Sequence, residues 1–139
     1  MKILLSIVVL LVAFFYITNE PDFGENMPSV SWLPKEATNV SFSKNWGWDA
    51  YEFKISEQGF LKWANQKGYD VKLISDINDS RTPSLERYNM STENDFNKTR
   101  VVIKDGYFYH YDSPSGNGAC RCIGYDRKTK KAYYFGATH

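Results

Sequence analysis

The stretch ACRCIG sets two thiols, Cys120 and Cys122, one residue apart. In a β-strand, residues i and i+2 share a face, so both sulfurs project the same way. Joined by His110 from the neighbouring segment YHYD, they make a soft donor set suited to copper(I) or zinc. The chain has only two cysteines and two histidines. A closed four-ligand site would therefore need the terminal His139 or a second molecule, and the spacing matches no common zinc signature. Outside the cytoplasm the pair can instead oxidise. A one-residue spacing along a flat strand holds the Cα atoms near the upper limit for a bridge, which makes such a disulfide strained and reducible. The third role is packing, because small thiols fill half-buried sheet positions well. Metal handling, redox exchange and packing all stay open at this point.

Nucleophilic catalysis would need a Cys or Ser within reach of His110 and an acid such as Asp112 to orient the ring. The sequence alone does not show that these groups converge. It contains no GxSxG, no HExxH and no phosphate-binding glycine loop, so no cofactor is expected and the chain reads as non-catalytic. A separate cluster is aromatic. Trp46, Trp48 and Tyr51 lie close together in NWGWDAY, and Tyr107, Tyr109 and Tyr111 alternate in GYFYHYD. Amphipathic rings of this kind are favoured anchors for a sugar, a peptide or a lipid headgroup.

The elements that must position these residues follow from hydrophobic periodicity. TNVSFS and WDAYEFKIS alternate apolar and polar side chains, which predicts two strands joined as a hairpin around SKNWG. Ser56 is placed to cap a helix over EQGFLKWANQK that stops at Gly68, with Ile55 and Phe60 as a hydrophobic staple. DVKLIS predicts a short strand, and the polar, Asn-rich run 76–99 a long loop. RVVIKDGYFYHYD, GACRCIGYD and KAYYFGA predict a C-terminal meander joined by SPSGNG and RKTK. The fold class is α+β: a small antiparallel sheet, made of the hairpin plus the meander, with one main packed helix.

Ahead of this domain, every residue from Ile3 to Ile17 except Ser6 is apolar or aromatic. As a helix these 15 residues span about 22 Å, short of the roughly 30 Å hydrocarbon core. Length favours a secretory signal, yet the bulky Phe14, Phe15, Tyr16 and Ile17 stand where cleavage requires small residues. The expectation is an N-terminal hydrophobic helix, residues 1–18, that stays as a signal anchor. Met1 and Thr18 extend the span and Tyr16 lies at the headgroup level. Residues 19–36, with Pro21, Pro28 and Pro34, read as an extracytoplasmic tether, and 37–139 as the α+β domain. Lys2 on one side and Glu20, Asp22 and Glu25 on the other orient the amino terminus to the cytoplasm. The alternative is cleavage and release to the periplasm or the outside.

The chain carries 17 basic and 16 acidic side chains, a formal charge of +1. That balance argues against a nucleic-acid partner, because backbone binding depends on concentrated Lys and Arg. Against this background, LPKEATNVSFSKNWGWDAYEFKISEQGFLKW, DGYFYHY and GYDRKTKKAYYF resemble a group of small uncharacterised bacterial proteins with an N-terminal hydrophobic segment. The resemblance implies bacterial origin and export and supplies no activity. The expected function is a membrane-anchored extracytoplasmic binding or accessory module, inserted through residues 3–17 and partnered by an envelope protein. The alternative is a thiol-redox or copper- or zinc-handling protein built on Cys120, Cys122 and His110.

Overall fold

A computed structural model describes residues 23–77, 84–88 and 98–137. The strands are β1 (Phe23–Met27), β2 (Thr38–Asn45), β3 (Trp48–Lys54), β4 (Lys72–Leu73), β5 (Ser84–Tyr88), β6 (Lys98–Val102), β7 (Gly106–Asp112), β8 (Cys120–Asp126) and β9 (Lys131–Ala137). The helix α1 (Glu57–Gln66) follows β3, and a 3₁₀ turn (Ile74–Asp76) follows β4. Seven strands form one antiparallel sheet in the order β1-β2-β3-β9-β8-β7-β4, while β5 and β6 pair separately as a hairpin. This is the expected α+β architecture, hairpin plus meander with one α-helix among the described residues. The expected N-terminal helix and the anchor fall outside the described residues. Within them, no helix is long and apolar enough to cross a membrane.

Three sequence expectations are corrected. The stretch 19–36 is not a free tether throughout. From Phe23 it pairs with β2, and Leu33 is buried in the core with Trp32 packed against it. The run 76–99 contains β5 and the first residues of β6 rather than a loop alone. RVVIKDGYFYHYD is two strands, broken at Ile103–Asp105, where the chain turns from β6 into β7.

Alternation sorts the sheet into two faces. One face carries Val40, Phe42, Tyr51, Phe53, Ile123, Tyr125, Ala132 and Tyr134, and these join Phe60, Trp63 and Ala64 of α1 in the main core. The other face carries Phe108, Cys122 and Tyr133, which pack with Ile103 under the β5–β6 side of the molecule. A sheet buried on both faces accounts for the high aromatic content. Its strands need large side chains in both directions.

The helix starts and stops where its ends can be satisfied. Ser56 Oγ accepts from the Gly59 amide at 3.1 Å, as an N-cap should. At the other end Gly68 adopts φ +74, the Gly68 amide donates to Asn65 O and the Tyr69 amide to Ala64 O at 2.9 Å. That is a Schellman closure. A clamp then ties the first turn to the meander. Arg127 Nη2 donates to Glu57 Oε1 at 2.8 Å and Nε at 3.0 Å, Arg127 Nη1 reaches Asp105 at 3.1 Å, and the Tyr107 hydroxyl donates to Glu57 at 2.9 Å.

Hydrogen bonds from Arg127 and then Tyr107 hold the Glu57 carboxyl below its ordinary value of 4.5. A carboxylate depressed in the folded state stabilises fully above its unfolded pKa, and that contribution fades as pH falls through the lower folded value. Glu57→Gln should accordingly unfold at lower urea than the parent near neutral pH, with the difference closing on acidification. Urea unfolding curves at a series of pH values check this. The clamp is partly exposed, so solvent screening keeps the effect small.

Candidate functional site

The face opposite α1 gathers the thiol chemistry. In the β7–β8 ladder His110 stands directly opposite Cys122, and Asp112 opposite Cys120. Directly opposed side chains in an antiparallel pair have Cβ atoms about 5 Å apart, so the ladder itself brings the groups together. Cys122 Sγ lies 3.8 Å from His110 Nδ1. On the far edge of the same ring, His110 Nε2 lies 2.9 Å from Asp112 Oδ1. Cys122 is buried at 9% exposure among Ile103, Phe108 and Tyr133, whereas Cys120 is partly exposed. Both are thiols, not bridged to each other.

Cys120, Cys122 and His110 are thus brought to one face, with Asp112 added. Asp112 and Cys122 approach opposite edges of the imidazole, so they cannot share one ion. Among the described residues no group of three or more His, Cys, Asp or Glu side chains is gathered as a metal would require. His139 lies outside the described residues.

The aromatic candidates divide. Trp46 sits in the β2–β3 turn with 96% of its surface exposed. Trp48 points to the thiol side of the sheet, its ring 6.3 Å from Phe135. Tyr51 points to the helix side, 4% exposed. The three therefore do not converge, because the turn and the strand's alternation send them three ways. Tyr107 is engaged by Glu57 and Arg127, and Tyr109 packs on Tyr69 at 5.7 Å. Tyr111 stays exposed at the end of β7.

The helix side also holds a cationic aromatic cluster that the sequence reading missed. Arg121 lies between Cys120 and Cys122 in sequence and on the opposite face. Its guanidinium sits 5.7 Å from the Tyr69 ring centroid, and Tyr134 stands diagonally across the β8–β9 ladder from it. The Tyr134 hydroxyl lies over Gly136, the residue opposite Arg121: a Cβ there would stand 2.5 Å from it. Trp32 completes the cluster, 4.7 Å from Tyr134 and 4.8 Å from Tyr51, with the Lys67 ammonium over its ring at 5.3 Å. The sequence signal was the strand parity of Arg121 and the glycine in YYFGA; both become informative only once the register is known.

Along the adjoining row of the sheet, Lys44 pairs with Asp49, Asp49 with Gly136, Gly136 with Arg121 and Arg121 with Tyr111. Burial raises the Asp49 carboxyl above its ordinary value, and Lys44 pulls it back in part. This half of the face thus combines two cations, one carboxyl and several ring faces. Cations beside aromatic rings suit an anionic or planar group, through charge and cation–π contact.

Comparison with protein-family models, with curated proteins and with solved structures finds no match.

Proposed function

We propose that the chain is a membrane-anchored extracytoplasmic binding module, inserted through residues 3–17 and acting without turnover. One observation carries this reading. Phe23, the first described residue after the apolar segment, pairs with Ser43, at the same end of the sheet as the β2–β3 turn bearing Trp46. That tryptophan is 96% exposed and Phe23 40%. Exposed Trp at the point where a chain approaches a bilayer fits the interfacial preference of the indole ring. Tyr111 ends β7 at this same end, while the basic turn with Arg127, Lys128 and Lys130 lies at the other. The domain would stand on its Trp46 end and present its two faces sideways.

In this arrangement the ligand surface is the Arg121 cluster with Tyr69, Tyr109, Tyr111 and Trp32, of a composition that favours a protein partner in the cell envelope. Tyr, Trp and Arg dominate the binding energy of protein interfaces. The bacterial setting implied by the resemblance is part of the same proposal.

The test uses the full chain in a bacterial host. Membranes are washed with alkaline carbonate, and intact cells stripped of their outer layers are treated with a membrane-impermeant amine label. The expected result is a chain retained in the membrane pellet and labelled on lysines of the folded domain. Recovery in the soluble fraction, or lysines protected until the membrane is broken, would overturn the proposal.

A further inference from the structure

We infer that Arg121 is a receptor for a carboxylate, and that the group it takes is an acidic side chain or terminal carboxylate of the protein partner. The inference rests on the binding reading above for the partner being a protein. The carboxylate follows from the charges and donors on the helix side of the sheet.

A partly buried cation normally keeps a carboxylate beside it, because a charge drawn out of water needs a counter-ion. The other cations of this kind follow the rule. Arg127, its side chain 32% exposed, holds Glu57 at 2.8 Å. Lys131, 35% exposed, holds Glu52. Lys44 stands opposite Asp49 across the β2–β3 ladder. Arg121 is likewise partly buried, yet among the described residues no carboxylate is paired with it. The acids nearest to it in the fold are engaged elsewhere. Asp49 lies two strands away in the same row, beside Lys44. Asp70 is held by Lys72 at 2.7 Å, and Asp112, opposite Cys120, pairs with His110 at 2.9 Å.

The same spot is short of hydrogen-bond acceptors. Arg121 Nε is buried without a partner, and so is Nε1 of Trp63, a residue 3% exposed. Both groups lie against one ring: Tyr69 is 5.7 Å from the guanidinium and 5.8 Å from the Trp63 ring. Buried donors without acceptors are costly, and each calls for an explanation. A carboxylate arriving at the guanidinium brings two acceptor oxygens in the plane of the fork and the missing negative charge together.

The surroundings select the kind of anion. Tyr69 also packs on Tyr109 at 5.7 Å, so the ring beside the guanidinium is fixed before anything binds, and little side-chain freedom is lost on association. One guanidinium framed by rings suits a planar anion of single charge. A phosphate group, with its second charge, calls for a cluster of cations, whereas the next positions along this row are Gly136 and then the Asp49 carboxyl. Apolar side chains flanking the acid on a peptide would lie on the rings of Tyr109, Tyr111 and Trp32, which supply area rather than charge.

The experiment titrates the full chain, in non-ionic maltoside micelles, with the blocked tripeptide acetyl-Leu-Glu-Leu-amide, with its Gln counterpart and with glucuronate. The readout is the Arg121 Nε–H signal in nitrogen–proton NMR spectra, assigned by its loss in Arg121→Gln, together with the indole signals. The Glu peptide should shift the Arg121 signal, and the Gln peptide and glucuronate should bind at least about tenfold more weakly, the worth of a charge-assisted fork together with its flanking contacts. Arg121→Gln should abolish the response of the indole signals, and Arg121→Lys, which keeps the charge and loses the fork, should weaken it several-fold. An unpaired cation gives folding nothing that its removal forfeits, so Arg121→Gln should keep the urea midpoint at or above that of the parent, whereas Arg127→Gln should lower it. Equal binding of the Glu and Gln peptides, or no response to either, overturns the inference. Glucuronate binding as well as the Glu peptide replaces the protein acid with a sugar acid and overturns it too. So does an Arg121→Gln midpoint below that of Arg127→Gln, which would make Arg121 a structural residue. None of these results bears on the anchor, and recovery of the chain in the soluble fraction would strike the anchored reading while leaving the peptide titration as measured.

Discussion

Phe60→Ala should destabilise the domain by about 3–5 kcal/mol, the usual cost of deleting a fully buried phenylalanine. Phe60 has no exposed surface. It stacks on Tyr125 with ring centroids 4.9 Å apart and touches Trp63 and Tyr107 at 6.1 and 6.4 Å. Those contacts join α1 to the middle of the meander. Since Tyr125, Trp63 and Tyr107 are held by other partners, they cannot collapse into the space, and the cavity adds to the lost transfer energy. Domains of this size have about 5–15 kcal/mol in total, so the urea midpoint should fall by roughly a fifth or more. A midpoint within the error of the parent would mean that the helix does not contribute its buried face to the core as described.

Gly106→Ala should have an effect of similar size through a different cause. Gly106 opens β7 at φ +146, a conformation that essentially only glycine adopts. A Cβ at this position would stand 1.8 Å from the backbone oxygen of Tyr125. Backbone atoms of a central strand cannot step aside, so the β7–β8 ladder must shift. The expected cost is about 3 kcal/mol or more, and the register that opposes His110 to Cys122 should be disturbed with it. Gly68→Ala is the internal comparison. Gly68 also has positive φ, yet nothing lies within 4 Å of its Cβ position, so the penalty there should be about 1 kcal/mol. Denaturant unfolding of the three chains side by side separates collision from conformational strain.

What could be read from the sequence was what local chemistry dictates. Ser56, Gly68 and the staple residues bracket α1 within one residue of its observed ends, because caps and stops act on their own neighbours. The β2–β3 hairpin and the β7–β8–β9 meander were legible because their strands alternate and their turns carry Gly, Ser, Asn and Lys. The strand β1 was not. FGENM does not alternate, it buries only Gly24, and the surrounding prolines suggested a tether. Its pairing depends on β2 offering an edge. Trp32 and Leu33 went unseen for the same reason, since a loop residue enters a core only through tertiary contact. The strand β5 lay hidden in a polar run, where pairing with β6 rather than hydrophobic pattern creates it.

The thiol site was half legible. That Cys120 and Cys122 share a face follows from strand parity alone. That His110 meets Cys122 requires the register of β7 on β8, fixed by the 113–119 connection, in which the Ser113 amide donates to Ala119 O at 2.8 Å. One residue of slip would set Cys122 opposite Tyr109 or Tyr111 and dissolve the arrangement. Trp46, Trp48 and Tyr51 show the converse error. Nearness in sequence suggested a cluster, but alternation and a turn separate them.

The central claim, that the domain stands on a bilayer through its Trp46 end, is tested most directly by tryptophan quenching. The full chain is reconstituted into vesicles whose lipids carry bromine at a shallow acyl position, and its fluorescence is compared with that of Trp46→Phe. The account predicts marked quenching in the parent and near loss of it in the variant, because the three remaining tryptophans, Trp32, Trp48 and Trp63, pack in or against the folded core. Emission unaffected by bromolipid, or quenching that persists undiminished in Trp46→Phe, would contradict it.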